Sequence, residues 1–215
     1  MKLPLVLREA FYFVLILGGL SLLFLSLPFK LAKVVGFLFL LGFFFLFYFF
    51  RDPERTIPAD PQAILAPADG KIVEIDIEEK SPFFEGRAKK ISIFLSIFDV
   101  HVNRSPVEGK IIKKKYHRGA FLDARNPRSS EVNESQDWWI ETPEGYTVGV
   151  RQIAGLIARR LVGWKEMGQK IYAGERIGMI KFGSRTELYL PVVCTVEVKL
   201  GDRVEAGKSI VAKWP

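Results

Sequence analysis

Cysteine and histidine are nearly absent from this sequence: its 215 residues hold one cysteine, Cys194, and two histidines, His101 and His117. A lone cysteine excludes an internal disulfide and any multi-cysteine metal site. Two histidines exclude a three-histidine zinc site, so no metal is assigned. No Gly-x-Ser-x-Gly elbow occurs, which disfavours a serine hydrolase of the α/β-hydrolase type. Charge is missing from two long stretches, residues 11–29 and 34–50, and twelve of the 18 Phe fall within the first 50 residues. Runs of that length exclude a simple soluble globule.

What is present divides at about residue 51. The second apolar run follows the first after only residues 28–33, whereas a cleaved signal peptide would have a shorter core and a small-residue cleavage site. Residues 1–50 therefore read as a membrane helical hairpin, transmembrane or re-entrant in one leaflet. So short a turn makes the helices antiparallel, which puts Lys2 and Arg8 on the same face as Arg51 and Arg55. The positive-inside bias favours the cytoplasmic face, although Lys30 and Lys33 at the tip reduce it. Residues 51–215 carry a mild basic excess within a whole-chain net charge of +7. Anionic headgroups or phosphates suit such a tethered domain, and nucleic acid is not assigned as a partner.

From residue 51 short β-branched runs alternate with Gly and Pro, and the pattern predicts strands over 71–77, 90–97, 110–115, 147–153, 176–182, 187–190 and 192–199. One short helix is expected over 154–162. Two internal repeats sharpen the reading. Gly168, Ile171, Ala173, Gly174 and Ile177 recur as Gly201, Val204, Ala206, Gly207 and Ile210, and Pro67, Gly70, Lys71 and Ile72 recur as Pro106, Gly109, Lys110 and Ile111. Such units are hairpins whose glycines supply positive-φ turns. They resemble the flattened β-barrel of biotinyl and lipoyl carrier domains, but the Met-Lys-Met and Asp-Lys-Ala tripeptides of those carriers are absent. The expected fold is thus mainly β, a flattened biotinyl/lipoyl-like barrel of residues 51–215 behind an N-terminal hairpin.

Among polar residues, strand alternation would put Asp99, His101 and Asn103 on one face opposite Val100 and Val102. Lys113, Lys114 and Lys115 with His117 and Arg118 form a basic run that is either solvated surface or a phosphate or membrane contact. Gly183-Ser184 is the only Gly-Ser dipeptide, set between two predicted strands.

Resemblance adds what periodicity does not. Phe49 to Pro58 (FFRDPERTIP), Ala66 to Gly70 (APADG), Phe98 to Arg104 (FDVHVNR) with Pro106-Val107, Tyr116 to Gly119 (YHRG), Gln152 to Gly155 (QIAG) and Phe182 to Arg185 (FGSR) stand in order and spacing. Together they resemble the short-form, pyruvoyl-dependent phosphatidylserine decarboxylases over essentially the whole chain. One departure is Asn133-Glu134-Ser135, where the family pattern has Asn-Glu-Arg.

The resemblance implies an inactive precursor that cuts itself at Gly183-Ser184. A β chain, 1–183, and an α chain, 184–215, would remain together, and Ser184 would become a covalent pyruvoyl cofactor that condenses with the substrate amine. His101 would be the base, oriented by Asp69 in the order of a triad. Arg104 and the run Lys113 to Lys115 would meet the lipid phosphate or an anionic membrane surface. Two other classes stay open at this point: a noncatalytic membrane-anchored barrel acting as an adaptor, and a lipid hydrolase using Ser184 with His101. Sequence alone does not separate phosphatidylserine from an ether-linked archaeal serine lipid.

Overall fold

The two charge-free runs form helices α1 (Leu5–Ser26) and α2 (Lys30–Phe49). The structure is a computed structural model that describes residues 5–156, 160–181 and 183–215. Small residues set how closely the helices approach. A Cβ on Gly36 would lie 2.8 Å from the backbone nitrogen of Leu25, and the Ser21 hydroxyl donates to the Gly36 carbonyl at 3.1 Å. Leu15, Leu22, Leu31 and Phe44 point outward and are exposed. By length and composition both helices can cross a membrane, since 20 residues at a rise of about 1.5 Å match a hydrocarbon core of about 30 Å.

The chain separates into two compact units, 1–53 and 54–215. The second is almost entirely β. Its strands are β1 (Ala63–Leu65), β2 (Gly70–Glu78), β3 (Ala88–Leu95), β4 (Val102–Arg104), β5 (Gly109–His117), β6 (Ser135–Glu141) and β7 (Thr147–Ile153). They continue as β8 (Leu161–Gly163), β9 (Lys170–Ile171), β10 (Arg176–Ile180), β11 (Ser184–Pro191), β12 (Thr195–Val196), β13 (Arg203–Val204) and β14 (Ile210–Lys213). One single-turn helix, α3 (Ser129–Val132), precedes β6. Eight strands in the order β13-β2-β3-β11-β7-β6-β5-β9 make a curled half-barrel, and two three-stranded sheets, β1-β14-β12 and β4-β10-β8, accompany it.

The internal repeats are a structural duplication. Gly70 and Lys71 of β2 pair with Val204 and Arg203 of β13, and Gly109 and Lys110 of β5 pair with Ile171 and Lys170 of β9 in the same register. The hydrogen bonds repeat as well: Gly201 N–H donates to the Ile72 carbonyl at 2.9 Å, and Gly168 N–H to the Ile111 carbonyl at 2.7 Å. Gly168, Gly174, Gly201 and Gly207 all have positive φ, between 70° and 96°, where a side chain would be strained. Alternate residues of the long strands, among them Ile72, Ile91, Ile93, Ile140, Val150 and Leu188, fill one apolar core.

Two expectations are corrected. Over 154–162 there is no regular helix in the described part: residues 154–156 are irregular and 161–163 form β8, while 157–159 lie outside the described residues. In 192–199 only Thr195–Val196 is strand, because a turn over 192–194 follows Pro191.

The outer face of the half-barrel carries a buried ionic lattice. Asp137, 1 % exposed, accepts from Arg151 Nε and Nη2 at 2.7 and 2.8 Å and lies 3.0 Å from His117 Nε2. Breaking such a pair strands a largely buried guanidinium. Asp137→Asn is therefore expected to cost about 3 to 5 kcal/mol, measured as a lower midpoint in urea unfolding.

Candidate active site

Strand β11 begins at Ser184, in the middle of the large sheet. It pairs with β3 on one side, Ser184 opposite Leu95, and with β7 on the other, Arg185 opposite Ile153. Alternation turns Ser184, Thr186 and Leu188 to one face and Arg185, Glu187 and Tyr189 to the other. Ser184 is completely buried, and its hydroxyl has no hydrogen-bond partner among the described residues. An orphaned buried hydroxyl costs about 1 to 3 kcal/mol, so this position needs a reason beyond packing.

Directly before it stands Gly183, with φ +56°. Its amide N–H donates to His101 Nε2 at 3.3 Å. His101 is fully buried, and its Nδ1 lies 2.9 Å from the carbonyl oxygen of Asp99. A carbonyl only accepts, so Nδ1 carries the proton and Nε2 presents its lone pair to the Gly183-Ser184 segment. The Asp99 carboxylate in turn fixes its own loop, accepting from Ser96 N–H at 2.8 Å and the Ser96 hydroxyl at 2.7 Å and pairing with Arg203. On the far side sits Gly155. A Cβ there would overlap the carbonyl oxygen of Gly183.

A buried polar thread joins the sequence boxes to one another. Trp138 Nε1–H donates to Gln152 Oε1 at 2.8 Å, and Gln152 Nε2 donates to Asn103 Oδ1 at 2.8 Å. Asn103 Nδ2 then donates to Thr186 Oγ1 at 3.0 Å and to the Pro67 carbonyl at 3.2 Å. Every polar member is thus satisfied, which fixes β4 and β7 against β11 around Ser184. Asn133 closes the other side. Its side chain donates to the carbonyls of Leu122 and Ala154 at 2.8 and 2.7 Å, next to Gly155.

Asp69 is 8 % exposed, and both its oxygens are engaged. Oδ2 accepts from Arg55 Nη2 at 2.7 Å, and Oδ1 accepts from the Ala206 N–H at 2.7 Å. Burial pushes its carboxyl above the usual range, opposed by the Ala206 amide and Arg55. The resemblance has Asp69 orient His101, whereas Nδ1 of that ring lies against the Asp99 carbonyl. Arg55 also bonds Glu205 at 2.6 Å, so this flanking cation belongs to the β domain.

The remaining candidates lie apart from the hydroxyl. Arg104 is 4 % exposed, and its Nη1 donates to the Gly174 carbonyl at 3.0 Å, an inward structural contact rather than an open phosphate receptor. The lysine run splits between the two faces of β5. Lys113 Nζ stands 4.6 Å from the centre of the Trp139 ring, Lys114 donates to the Lys165 carbonyl at 2.8 Å, and Lys115 is exposed. On the outer face a cleft of about 600 Å³ is lined by Lys90, His117, Arg118, Arg128, Arg151 and Glu131 among others.

Sequence reasoning missed three contributors. The Asp99 carbonyl and the close approach of Gly155 leave no trace in residue type. Arg185 sits beside the lone Gly-Ser pair, where its position gave a signal that went unused. It is 3 % exposed, bonds the Ser92 hydroxyl at 2.9 Å and pairs with Glu74. Burial raises the Glu74 carboxyl, but Arg185 and Lys90 outweigh that effect and leave it below its ordinary value.

The sequence model for phosphatidylserine decarboxylase matches residues 43–212. The phosphatidylserine decarboxylase proenzyme of Desulfotalea psychrophila is 46% identical over 182 residues, 85% of each chain. That of Symbiobacterium thermophilum is 42% identical over 215 residues, 100% of this chain and 98% of its own. That of Carboxydothermus hydrogenoformans is 46% identical over 216 residues, 99% of both.

Proposed function

The chain belongs to the phosphatidylserine decarboxylase family, and we propose that it prepares itself for that reaction by cutting its own backbone between Gly183 and Ser184 and turning Ser184 into a pyruvoyl group. It is an enzyme that decarboxylates phosphatidylserine; the adaptor and hydrolase readings have no support among these relatives. The observation that carries the proposal is a buried Ser184 hydroxyl, without a partner among the described residues, one bond beyond a glycine whose amide meets Nε2 of His101.

In the proposed cut, Ser184 Oγ attacks the Gly183 carbonyl carbon while His101 Nε2 takes the hydroxyl proton. Nε2 exchanges the Gly183 amide for the hydroxyl, a local rotation at one residue. The C–N bond breaks, the proton returns to the departing amine, and Gly183 is left esterified to the serine oxygen. Loss of the Ser184 Cα proton expels Gly183 as a carboxylate. Water then replaces the resulting enamine nitrogen, which leaves as ammonia, and the α chain 184–215 begins with a ketone. Residues present fit such a group: Ser184 is buried on the face it shares with Thr186, and β3 and β7 hold its strand on both sides. When formed, the pyruvoyl ketone would supply the electron sink for the bonding pair left on the substrate's Cα as CO2 departs. His101 is the assigned proton donor to the product carbon.

The α chain stays bound because β11, β13 and β14 each pair with strands on the other side of the cut. Asp69 is assigned a positioning role. Through Arg55 and Ala206 it pins residues 66–70, whose Pro67 carbonyl receives Asn103 and the Arg104 N–H at 3.0 Å, and so the strand that follows His101. Asp69→Asn leaves Arg55 without its buried acid, and is expected to leave most of the chain uncut over a period in which wild type is fully processed, as read by gel band intensities. The hairpin is assigned as anchor, with the catalytic unit on the cytoplasmic face.

A ketone-directed hydrazide tests the proposal. It should label the 184–215 fragment of active protein and nothing in a Ser184→Ala chain; an active enzyme without a reactive carbonyl on that fragment would overturn the reading.

A further inference from the structure

The loops that build the site also expose large apolar side chains. Phe98 is 61 % exposed and its neighbour Ile97 36 %; they are the tip of the loop whose Asp99 carbonyl holds His101. Leu156, 63 % exposed, follows the glycine that abuts the Gly183 carbonyl. Leu200, 69 % exposed, tops the turn that enters β13, and Arg203 of that strand reaches back to Asp99. Cations border the Phe98 loop and the Leu200 turn. Arg203 has a side chain 68 % exposed, and the exposed Lys71 is paired with it across the strands.

Surface loops are ordinarily polar, and aromatic and leucine side chains at their tips beside basic residues have the composition of a membrane-interface contact. We propose that Ile97, Phe98, Leu156 and Leu200, with Lys71 and Arg203 at their border, form a docking patch by which the mouth of the site enters the headgroup layer of an anionic bilayer. This rests on the decarboxylase reading and extends it. The substrate's serine carboxylate lies in the headgroup layer, and its acyl chains cannot leave the bilayer without exposing a large apolar area to water. A site whose rim buries apolar side chains among headgroups spares the lipid most of that exposure, while Lys71 and Arg203 meet the negative surface. The patch differs from the lysine run of β5, where Lys113 and Lys114 are engaged by tryptophan rings and a carbonyl.

The native thiol does not interfere with a label, because Cys194 is buried and burial pushes its thiol up to about 11. Full-length Phe98→Cys, Leu156→Cys and, as control in the exposed β6–β7 turn, Glu144→Cys chains are tagged with an environment-sensitive fluorophore and reconstituted into phosphatidylcholine vesicles with added phosphatidylglycerol. Labels at 98 and 156 should shift to the blue and be quenched by a nitroxide carried at a shallow acyl position, and the label at 144 should do neither. A blue shift without quenching would mean that a second copy covers the patch, and water-like emission at 98 and 156 would mean that nothing does; either result overturns the proposal. In parallel, the Phe98→Ser/Leu156→Ser chain should still cut itself and turn over a short-chain soluble phosphatidylserine at the wild-type rate, while its rate on vesicles falls about tenfold. Wild-type inactivity on the soluble substrate would count against the decarboxylase reading, whereas equal loss on both substrates would count against the patch.

Discussion

A His101→Ala chain stays in one piece. General-base assistance is worth about 10² to 10⁴ in rate, so a cut that wild type completes during expression should be slow enough in the variant to follow after purification. The size of the effect comes from the geometry: His101 Nε2 reaches the segment to be cut, and the ring's other nitrogen is held by a fixed carbonyl. Alanine also leaves a cavity of imidazole size in a fully buried position. Free imidazole at high concentration should therefore restore part of the cleavage, which a merely misfolded chain would not allow. His117→Ala is the control. That ring lies against Asp137 on the outer face, and its loss should leave processing complete. Normal cutting in His101→Ala, scored by electrophoresis, would move the base elsewhere.

Gly155→Ala is expected to block the cut about as severely, through contact alone. Its added Cβ would overlap the Gly183 carbonyl oxygen, whereas a Cβ on Gly183 itself would meet nothing within 4 Å. The two glycines thus matter for different reasons. At Gly155 the methyl group must displace the scissile peptide, and a misplacement of about 1 Å costs on the order of 10²-fold. At Gly183 the cost is the left-handed backbone, φ +56°, about 1 to 2 kcal/mol for a non-glycine residue and so about a tenfold loss of the reactive conformer. Half-times of cleavage in purified precursors compare them directly. Gly183→Ala cutting more slowly than Gly155→Ala would contradict the packing argument.

Much of this architecture is visible in residue order. Strands β2, β3, β5, β7 and β10 follow β-branched runs, and the repeated Gly-x-x-hydrophobic-x-Ala-Gly unit is the duplicated pairing of β9 with β5 and β13 with β2. Strand β6 was not, because Ser135–Glu141 is buried on both faces and mixes Gln136 and Asp137 with Trp138 and Trp139, leaving no alternation to read. The helix expected over 154–162 failed for a related reason. Leu161 and Val162 are apolar residues of a short strand, paired with β10, and three residues are too few to show a period. At the site, the alternation expected of Asp99, His101 and Asn103 falls on a segment that is strand only from Val102, with Asp99 and His101 in the loop before it and His101 against the Gly183 amide. What it did not reveal is that a backbone carbonyl orients the ring and that Asp69 is held by Arg55 and Ala206. The carbonyl lies only two residues from the ring, but its aim is set by the backbone of that loop, and the Asp69 partners come from 14 residues before it and 137 after it.

Self-processing at Gly183-Ser184 is the central claim, and the mass of the intact protein tests it most directly. Purified active enzyme should give two species, residues 1–183 ending in an ordinary carboxylate and residues 184–215 lighter than their sequence by one ammonia. A single uncut chain in protein that releases CO2, or a short fragment carrying an unmodified serine at its start, would contradict it.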